Sequence, residues 1–176
     1  MKVTVVGLGR SGNAAARFAR QLGYDVTVTD GCCEAHTSAE VEMSRMAYAV
    51  ELSADGVTVE LGEHTEGSID GADLVITSPG VPESAEPLVW ARARNIPVIS
   101  EIEFAVQHTR ARIVGVTGTN GKTTTTTLIG QVLKRGDIPT VVAGNIGQAL
   151  SGVVESATRT NTIVLEISSL QLETVR

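Results

Sequence analysis

Short apolar segments rich in valine and isoleucine recur along the chain, separated by longer stretches of mixed polarity. Near-continuous apolar runs of this kind are typical of strands that are buried on both faces, as in parallel sheets. The first hundred residues contain five such runs, at 2–7, 24–30, 57–61, 72–78 and 96–100. Helical patterns lie between some of them, at 11–23 and 84–95. Strands that alternate with helices predict a doubly wound α/β fold.

A second α/β unit is predicted to begin near residue 110. Its predicted elements are strands at 111–117, 138–144 and 161–168, a helix at 122–135 that ends at Gly136, and a helical connector at 101–110 before them. Three strands and one long helix are fewer elements than a complete parallel sheet of this class contains. We therefore expect two domains, at 1–110 and 111–176, with the second incomplete and the chain a fragment of a longer protein.

Composition narrows the range of partners. The net charge of −6 argues against non-specific binding of DNA or RNA, and an aromatic content of 3% argues against a surface that stacks bases. The sequence has no apolar run as long as a membrane span, and its start, MKVTVVGLGR, predicts a strand rather than a signal peptide. Two adjacent cysteines, Cys32 and Cys33, favour free thiols in a reducing compartment. We expect a monomeric cytoplasmic protein with neither nucleic acid nor membrane as a partner.

The segment GTNGKTT, residues 118–124, has the composition and setting of a phosphate-binding loop. It follows a predicted strand and begins a predicted helix, and its two glycines allow backbone N–H groups to converge on phosphate oxygens. Lys122 is expected to reach the β- and γ-phosphates, and Thr123 to offer its hydroxyl to Mg²⁺. Val116 stands where the strict pattern has its first glycine, so the loop is a variant. The predicted ATP-binding residues are Gly118, Thr119, Asn120, Gly121, Lys122, Thr123 and Thr124.

A magnesium site also needs a carboxylate, which in nucleotide hydrolases of this kind stands at the end of a neighbouring strand. The segment TIVLE supplies one, because Glu166 follows four apolar or β-branched strand residues. A glutamate at the end of a buried strand is costly unless it is paired or bound to a metal. Thr123 and Glu166 are therefore the predicted metal ligands.

The segment GLGRSG, residues 7–12, matches the glycine pattern of dinucleotide-binding folds, and Asp30 ends the second predicted strand where a ribose-binding acid is expected. The pattern is not specific, because the same turn holds any diphosphate at a helix N-terminus. TSPGVP, residues 77–82, follows the fourth strand and is expected to face the same crevice, although an ordinary proline–glycine turn is as good an interpretation.

Two further features have weaker signals. Asn145 in GNIG follows the strand after the phosphate-loop helix, where it either binds a substrate or serves as a turn residue. The three histidines, His36, His64 and His108, have no partner motif and are assigned no role.

Together these segments resemble the Mur ligase family, and the resemblance extends over the whole chain. It rests on GLGRSG, TSPGVP, SEIEF, GTNGKTT, GNIG and LEISSLQLE. The pairing of GTNGKT with ExSSxQLE is the most specific part, while the glycine pattern and SEIEF point to members that add D-glutamate. The resemblance implies a Rossmann-like parallel-sheet domain that binds a UDP-linked substrate, followed by an incomplete P-loop α/β ATPase domain.

The resemblance also implies an activity and a set of site residues. ATP and Mg²⁺ would be the cofactors of an ATP-dependent amide ligase that joins D-glutamate to UDP-N-acetylmuramoyl-L-alanine through an acyl phosphate, in the synthesis of peptidoglycan precursors. Lys122 and Asn145 take the catalytic positions. The positions matched to the UDP-linked substrate are Leu8, Gly9, Arg10, Ser11, Asp30, Pro79, Gly80 and Ser168. Gly31, Cys32 and Cys33 depart from the polar residues that usually neighbour the uracil.

Three alternatives remain beside this interpretation. An NAD-dependent oxidoreductase would explain Gly7, Gly9, Gly12 and Asp30 but not GTNGKT or Glu166. A non-catalytic nucleotide-binding module would explain both loops, and a sister ligase would add a different amino acid. The family's carbamylated lysine, its metal-binding histidine and its third domain have no counterpart within these 176 residues. We therefore expect this chain to bind a UDP-type ligand and ATP more weakly, without completing ligation.

Overall fold

The computed structural model describes residues 1–31 and 38–173. The chain divides into two compact units, Met1–Glu101 and Ile102–Arg176, and each is built on its own parallel sheet.

The first unit contains a five-stranded sheet in the order β3-β2-β1-β4-β5, with every neighbouring pair parallel. Its strands are β1 (Lys2–Val6), β2 (Asp25–Gly31), β3 (Thr58–Gly62), β4 (Leu74–Thr77) and β5 (Val98–Ser100). The central strands are buried on both faces, as their valine-rich sequences predict: Val3 and Val5 on one face of β1 and Thr4 on the other have no exposed surface.

Three helices connect the strands of the first unit: α1 (Arg10–Gln21), α2 (Ala39–Ala54) and α3 (Glu86–Ala93). A fourth helix, α4 (Glu101–Val106), begins at the last residue of the first unit and lies otherwise in the second. Helix α1 buries its alanines and Phe18 against β1 and β2, and α2 packs on α1 and β3. Under α3 lies an apolar cluster that includes Ile69, Val75 and Leu88. A short 3-10 turn at Glu66–Ile69 precedes β4.

The second unit contains a three-stranded parallel sheet in the order β6-β8-β7. Its elements are β6 (Arg112–Val116), α5 (Lys122–Arg135), β7 (Thr140–Gly144), β8 (Thr162–Glu166) and α6 (Ser169–Glu173), with a 3-10 turn at Leu150–Gly152. The middle strand, β8, is buried along its whole length, whereas β6 and β7 are partly exposed. β8 is therefore the most buried strand of this sheet, and its last residue, Glu166, is buried as well.

The mixed α/β fold with parallel sheets that the sequence predicts is confirmed, and the predicted strands lie within about two residues of those observed. The helix predicted at 122–135 coincides with α5, which ends at Gly136. Helix α2 was not predicted, because its buried stripe consists of Arg45, Ala49 and Leu52 and so has little apolar periodicity. Within the described residues, no helix has the length and apolar character needed to cross a bilayer. Cys32, Cys33 and His36 lie outside the described residues.

Candidate functional site

The carboxyl edge of the first sheet contains the point at which the strand order reverses. Two strands follow β1 on one side, β2 and then β3, while β4 and β5 lie on its other side. The crevice outside the ends of β1 and β4 is where open α/β sheets bind their ligands. The segment after β1 is the glycine loop 7–9, and the segment after β4 is the turn 78–82.

These two segments are joined directly by hydrogen bonds. Ser78 is buried, and its hydroxyl donates to the carbonyl of Gly7 at 2.9 Å, while its N–H donates to the carbonyl of Val6 at 3.0 Å. Gly12 packs against the same place, since a Cβ there would collide with the Gly7 carbonyl and lie 2.8 Å from the Ser78 hydroxyl oxygen. Any larger residue at 12 would push α1 away from the loop.

The N-terminus of α1 is open to a ligand at this edge. Gly9 is the N-cap residue and has no side chain to accept from the first turn, which also lacks acidic residues. The first N–H groups of a helix have no intrahelical partner and favour an anion. Ser11 is half-buried at this helix start, and Pro79 and Gly80 are exposed on the turn after β4. The structure thus brings these four predicted residues to one edge of the sheet.

Asp30 has a different environment from the one expected of a ribose-binding acid. One carboxylate oxygen accepts the N–H of Leu8 in the glycine loop, and the other accepts from the guanidinium of Arg45 on α2. The side chains of Asp30 and Arg45 are only 14% and 11% exposed. Leu8 itself points into the core, so its contribution to the edge is its backbone. Arg45 was not predicted as a site residue, because it lies on α2, a helix that was not predicted either.

His64, for which no role was predicted, also lies at this edge. Its Nδ1 is 2.8 Å from the hydroxyl of the buried Thr29, and a Cβ on Gly31 would lie 2.7 Å from its Nε2. The imidazole is thus held over Gly31 at the end of β2. In the second unit, Nδ1 of His108 is 2.8 Å from the carbonyl oxygen of Phe104, four residues earlier in the chain.

The three strands of the second sheet end side by side. Glu166, the last residue of β8, is in register with Val116 of β6 and with Gly144 of β7. The N–H of Ile167 donates to the carbonyl of Val116 at 2.9 Å, and the N–H of Asn145 donates to the carbonyl of Glu166 at 3.0 Å. The loop 117–121 and the segment GNIG therefore start on either side of Glu166.

The loop between β6 and α5 has the backbone that its glycines permit. Gly118 has φ 146° and Gly121, the N-cap of α5, has φ 75° in the left-handed region. The ammonium of Lys122 donates to the carbonyl of Gly118 at 2.7 Å and lies 3.5 Å from that of Thr119. Thr119 and Asn120 are exposed on the loop. The lysine is therefore folded over the loop whose N–H groups would cradle phosphates.

The threonines of α5 divide into two groups. Thr126 and Thr127 donate their hydroxyls to the helix carbonyls four residues earlier, both at 2.8 Å, which accounts for them structurally. Thr123, Thr124 and Thr125 are exposed in the first turn of the helix and make no such bond within the described part of the chain. Their hydroxyls face solvent at the helix start, where a ligand's oxygens or metal would lie.

Glu166 is the most unusual side chain in this unit, because it is a carboxylate with 1% exposure. Its Oε1 accepts from the side-chain amide of Asn145 at 2.8 Å. Its Oε2 is buried and has no hydrogen-bond partner in the described structure. Buried carboxylate oxygens are normally paired or bound to a metal, so this atom marks a place where a cation would be favourable.

Gly144 makes the approach of Asn145 to Glu166 possible. Its φ of +104° is strained for any other residue, and a Cβ would collide with the Glu166 carbonyl oxygen and come within 2.8 Å of Leu165 Cδ1. The glycine therefore lets β7 end against β8, so that Asn145 reaches Glu166 with both its backbone and its side chain.

Ser168 lies two residues after Glu166 and immediately before α6. Its hydroxyl accepts from the N–H of Gln171 at 3.2 Å, and the Gln171 side chain accepts from the N–H of Ser168 at 2.9 Å. This reciprocal arrangement is a capping box. It explains the spacing of serine and glutamine in the segment SSLQLE and holds the chain that leaves Glu166.

The residues present fit a magnesium ion that is shared with a phosphate ligand. Among the described residues, no group of three or more His, Cys, Asp or Glu side chains is arranged to hold a metal by itself. Mg²⁺ in nucleotide sites is usually bound by one or two protein oxygens, with phosphates and waters completing the octahedron. The unpartnered oxygen of Glu166 and a hydroxyl in the first turn of α5 are suitable donors of that kind.

The family models and the curated relatives that match this chain all describe Mur ligases. A model described as "Mur ligase MurD-like, N-terminal domain" matches residues 1–100, and one described as "Mur ligase middle domain" matches residues 116–176. A UDP-N-acetylmuramoylalanine–D-glutamate ligase of Koribacter versatilis is 44% identical over 174 residues, covering 99% of this chain and 37% of that protein. One from Geotalea uraniireducens is 46% identical over 173 residues, covering 98% and 36%.

Solved structures with a similar fold include UDP-N-acetylmuramate-alanine ligase MurC from Thermotoga maritima, with a TM-score of 0.54, 26% identity, and coverage of 96% of this chain and 37% of that one. A murein peptide ligase from Psychrobacter arcticus has a TM-score of 0.57 at 19% identity, covering 94% and 37%, which shows a shared fold. The chain spans about 37% of the length of the curated relatives that it matches. The chain belongs to the Mur ligase family, with a match to the MurD-like N-terminal domain over residues 1–100 and to the middle domain over residues 116–176.

Proposed function

We propose that this chain provides the substrate-binding domain and the first part of the ATP-binding domain of a ligase that joins D-glutamate to UDP-N-acetylmuramoyl-L-alanine. In this proposal residues 1–110 bind the UDP-linked substrate and residues 111–176 begin the ATP-binding domain. Support comes from relatives named as UDP-N-acetylmuramoylalanine–D-glutamate ligases, which are 43–46% identical to the chain over nearly its whole length. Because UDP-linked precursors and ATP occur in the cytoplasm, we place the protein there, as a monomer without nucleic acid or membrane partners.

The observation that carries the proposal is the buried Oε2 of Glu166, which has no hydrogen-bond partner among the described residues. Glu166 is in register with Val116, the last residue of β6 before the loop 117–121. Gly118–Thr124 would surround the phosphates of ATP, with Lys122 leaving its own loop carbonyls to contact the β- and γ-phosphates. Thr123 and Glu166 would hold Mg²⁺, which when bound neutralises charge on the transferring phosphoryl group. Asn145 holds the Glu166 carboxylate through Oε1, which would leave Oε2 available to the ion.

The chemistry that these groups would assist has two balanced steps. The alanine carboxylate of the UDP-linked substrate attacks the γ-phosphorus of ATP, and the bond to the β-phosphate oxygen breaks to release ADP. The amine of D-glutamate then attacks the resulting acyl phosphate, forming the amide, releasing phosphate and losing a proton. The first step concentrates negative charge at the γ-phosphoryl group, which the ammonium of Lys122, in the first turn of α5, would offset.

The first unit would bind the UDP part of the substrate. The start of α1, with Gly9, Arg10 and Ser11, favours the diphosphate, because its N–H groups are directed at the edge of the sheet and no acidic residue opposes an anion. The uridine would lie between the glycine loop with Asp30 and the turn with Pro79 and Gly80. Ser168, in the second unit, stays a predicted contact of the UDP-linked substrate on the strength of the resemblance, in addition to its capping role.

Binding measurements on this chain test the proposal. Isothermal titration calorimetry is expected to show UDP binding and no NADH binding, because the relatives that the chain matches are named as ligases of a UDP-linked substrate. Mg²⁺–ATP is expected to bind more weakly and to require the metal. NADH binding without UDP binding would support an oxidoreductase and overturn the proposal. Binding of neither nucleotide would overturn it as well.

A further inference from the structure

Arg45 connects three parts of the first unit through one buried contact. It stands on α2, and its Nη2 donates to Asp30 at the end of β2 and lies 3.5 Å from the carbonyl of Gly31. Its Nη1 pairs with Glu42 one turn earlier at 3.2 Å. Asp30 in turn accepts the N–H of Leu8. The chain of contacts therefore runs from α2 through a carboxylate to the backbone of the glycine loop.

The Asp30 carboxylate needs this support to keep its orientation. Its side chain is 14% exposed, and the Leu8 N–H satisfies one of its two oxygens. Without a cation at the other oxygen, a largely buried carboxylate is destabilised and tends to rotate toward water. Such a rotation weakens the bond to the Leu8 N–H and loosens the loop that precedes α1.

Stability alone does not account for an arginine at this position. A buried ion pair commonly contributes no more than well-packed apolar side chains of similar volume. Arg45 also has a cost of its own, because its Nε is buried and has no hydrogen-bond partner among the described residues. A methionine on α2 would fill the space without that cost. What the guanidinium provides and a methionine does not is a fixed donor for Asp30.

We propose that Arg45 is a positioning residue for the UDP-binding edge: it fixes Asp30, which fixes the glycine loop at the Leu8 N–H. The inference rests on the proposed function for its ligand, since the loop is proposed to face the diphosphate and uridine of the UDP-linked substrate. It also gives Asp30 a defined role in shaping the loop, because the carboxylate is held by two protein groups before any ligand arrives.

The test combines two readouts on R45M, R45K and a control. The first is the Leu8 amide in an ¹⁵N–¹H spectrum of the ligand-free chain, which reports the hydrogen bond to Asp30 directly. The second is the UDP affinity by calorimetry. R17M is the matched control, because Arg17 also pairs with α2, through Glu51 and Asp55, but is 38% exposed and does not contact Asp30. Fluorescence of Trp90, the sole tryptophan, monitors whether the first unit is folded.

We expect R45M to shift the Leu8 amide and speed its exchange, and to weaken UDP binding by about tenfold, the size of one charge-assisted hydrogen bond. R45K should show a smaller loss, since it keeps the charge without the fork of donors, and R17M should change neither readout. Because Arg45 acts through Asp30, adding R45M to D30N should weaken binding less than R45M does alone, whereas independent structural effects would add.

An unchanged Leu8 amide and unchanged UDP affinity in folded R45M would overturn the inference. If R45M does not fold, R45K decides in the same way: a Leu8 amide and an affinity equal to those of the unmodified chain would overturn it. Failure of the unmodified chain to bind UDP would instead remove the proposed ligand, and the Leu8 amide of the variants would still decide whether Arg45 fixes the loop.

Discussion

Replacing Glu166 by glutamine should have opposite effects on the ligand-free and the nucleotide-bound protein. In the ligand-free chain Oε1 accepts from Asn145 at 2.8 Å, whereas Oε2 is buried without a partner in the described structure. An unsatisfied buried polar group costs about 1–3 kcal/mol, and more when it is charged. The amide of Glu166→Gln keeps the acceptor for Asn145 and removes the charge, though its N–H groups remain unsatisfied. We therefore expect a net gain of about 1 kcal/mol in the free energy of unfolding.

A gain of that size corresponds to a rise of about 4–8 °C in the melting temperature of a domain of about 60–100 residues. The aromatic reporter Trp90 lies in the first unit, so its fluorescence should not change. Differential scanning calorimetry, which registers both units, is the suitable assay. Mg²⁺–ATP at about 100 times its Kd should stabilise the unmodified protein against unfolding by about 2.7 kcal/mol. In Glu166→Gln this increment should largely disappear, because an amide is a poor ligand for Mg²⁺.

The control is Glu155→Gln, which removes a charge from an exposed position of the same unit and should alter neither measurement. Two results would refute the reasoning. A lower melting temperature of ligand-free Glu166→Gln would mean that the carboxylate stabilises the fold by itself. An undiminished shift with Mg²⁺–ATP would mean that Glu166 is not a metal ligand.

Three further predictions concern the second unit and the reaction. Asn145→Ala removes the donor to Oε1 and should destabilise the ligand-free chain by about 1–3 kcal/mol in urea unfolding, opposite in sign to Glu166→Gln; equal signs would contradict the assigned hydrogen bond. Lys122→Met should weaken Mg²⁺–ATP by at least about tenfold in calorimetry while leaving UDP affinity unchanged, and an unaltered ATP affinity would remove the lysine from the site. With UDP-N-acetylmuramoyl-L-alanine, ATP and D-glutamate, a coupled ADP assay should show no D-glutamate-dependent turnover by this chain; such turnover would show that these residues suffice for ligation.

The site in the second unit was predictable from sequence because its parts end parallel strands. Carboxyl ends of parallel strands lie on one edge, so residues that follow β6, β7 and β8 must be neighbours wherever the strands pair. The loop 118–124 and Asn145 each follow such a strand and Glu166 is the last residue of one, and the register places Glu166 between the other two. The strand order itself, with β8 in the middle, does not follow from local sequence, and neither does the unpartnered oxygen that it creates.

In the first unit, only one member of the buried Asp30–Arg45 ion pair could be predicted from the sequence. Asp30 was visible because it ends a strand, but its partner Arg45 lies mid-helix, in a segment whose buried face is too polar to give an apolar period. A long arginine can reach a carboxylate from any of several helical positions, so no fixed spacing identifies the pair. The Asp30 carboxylate at the end of a buried strand nevertheless requires a counterpart, just as Glu166 does. In one unit the counterpart is a side chain of the protein, and in the other no described residue supplies it to Oε2. That difference is the physical reason for assigning a structural role to the first carboxylate and a metal to the second.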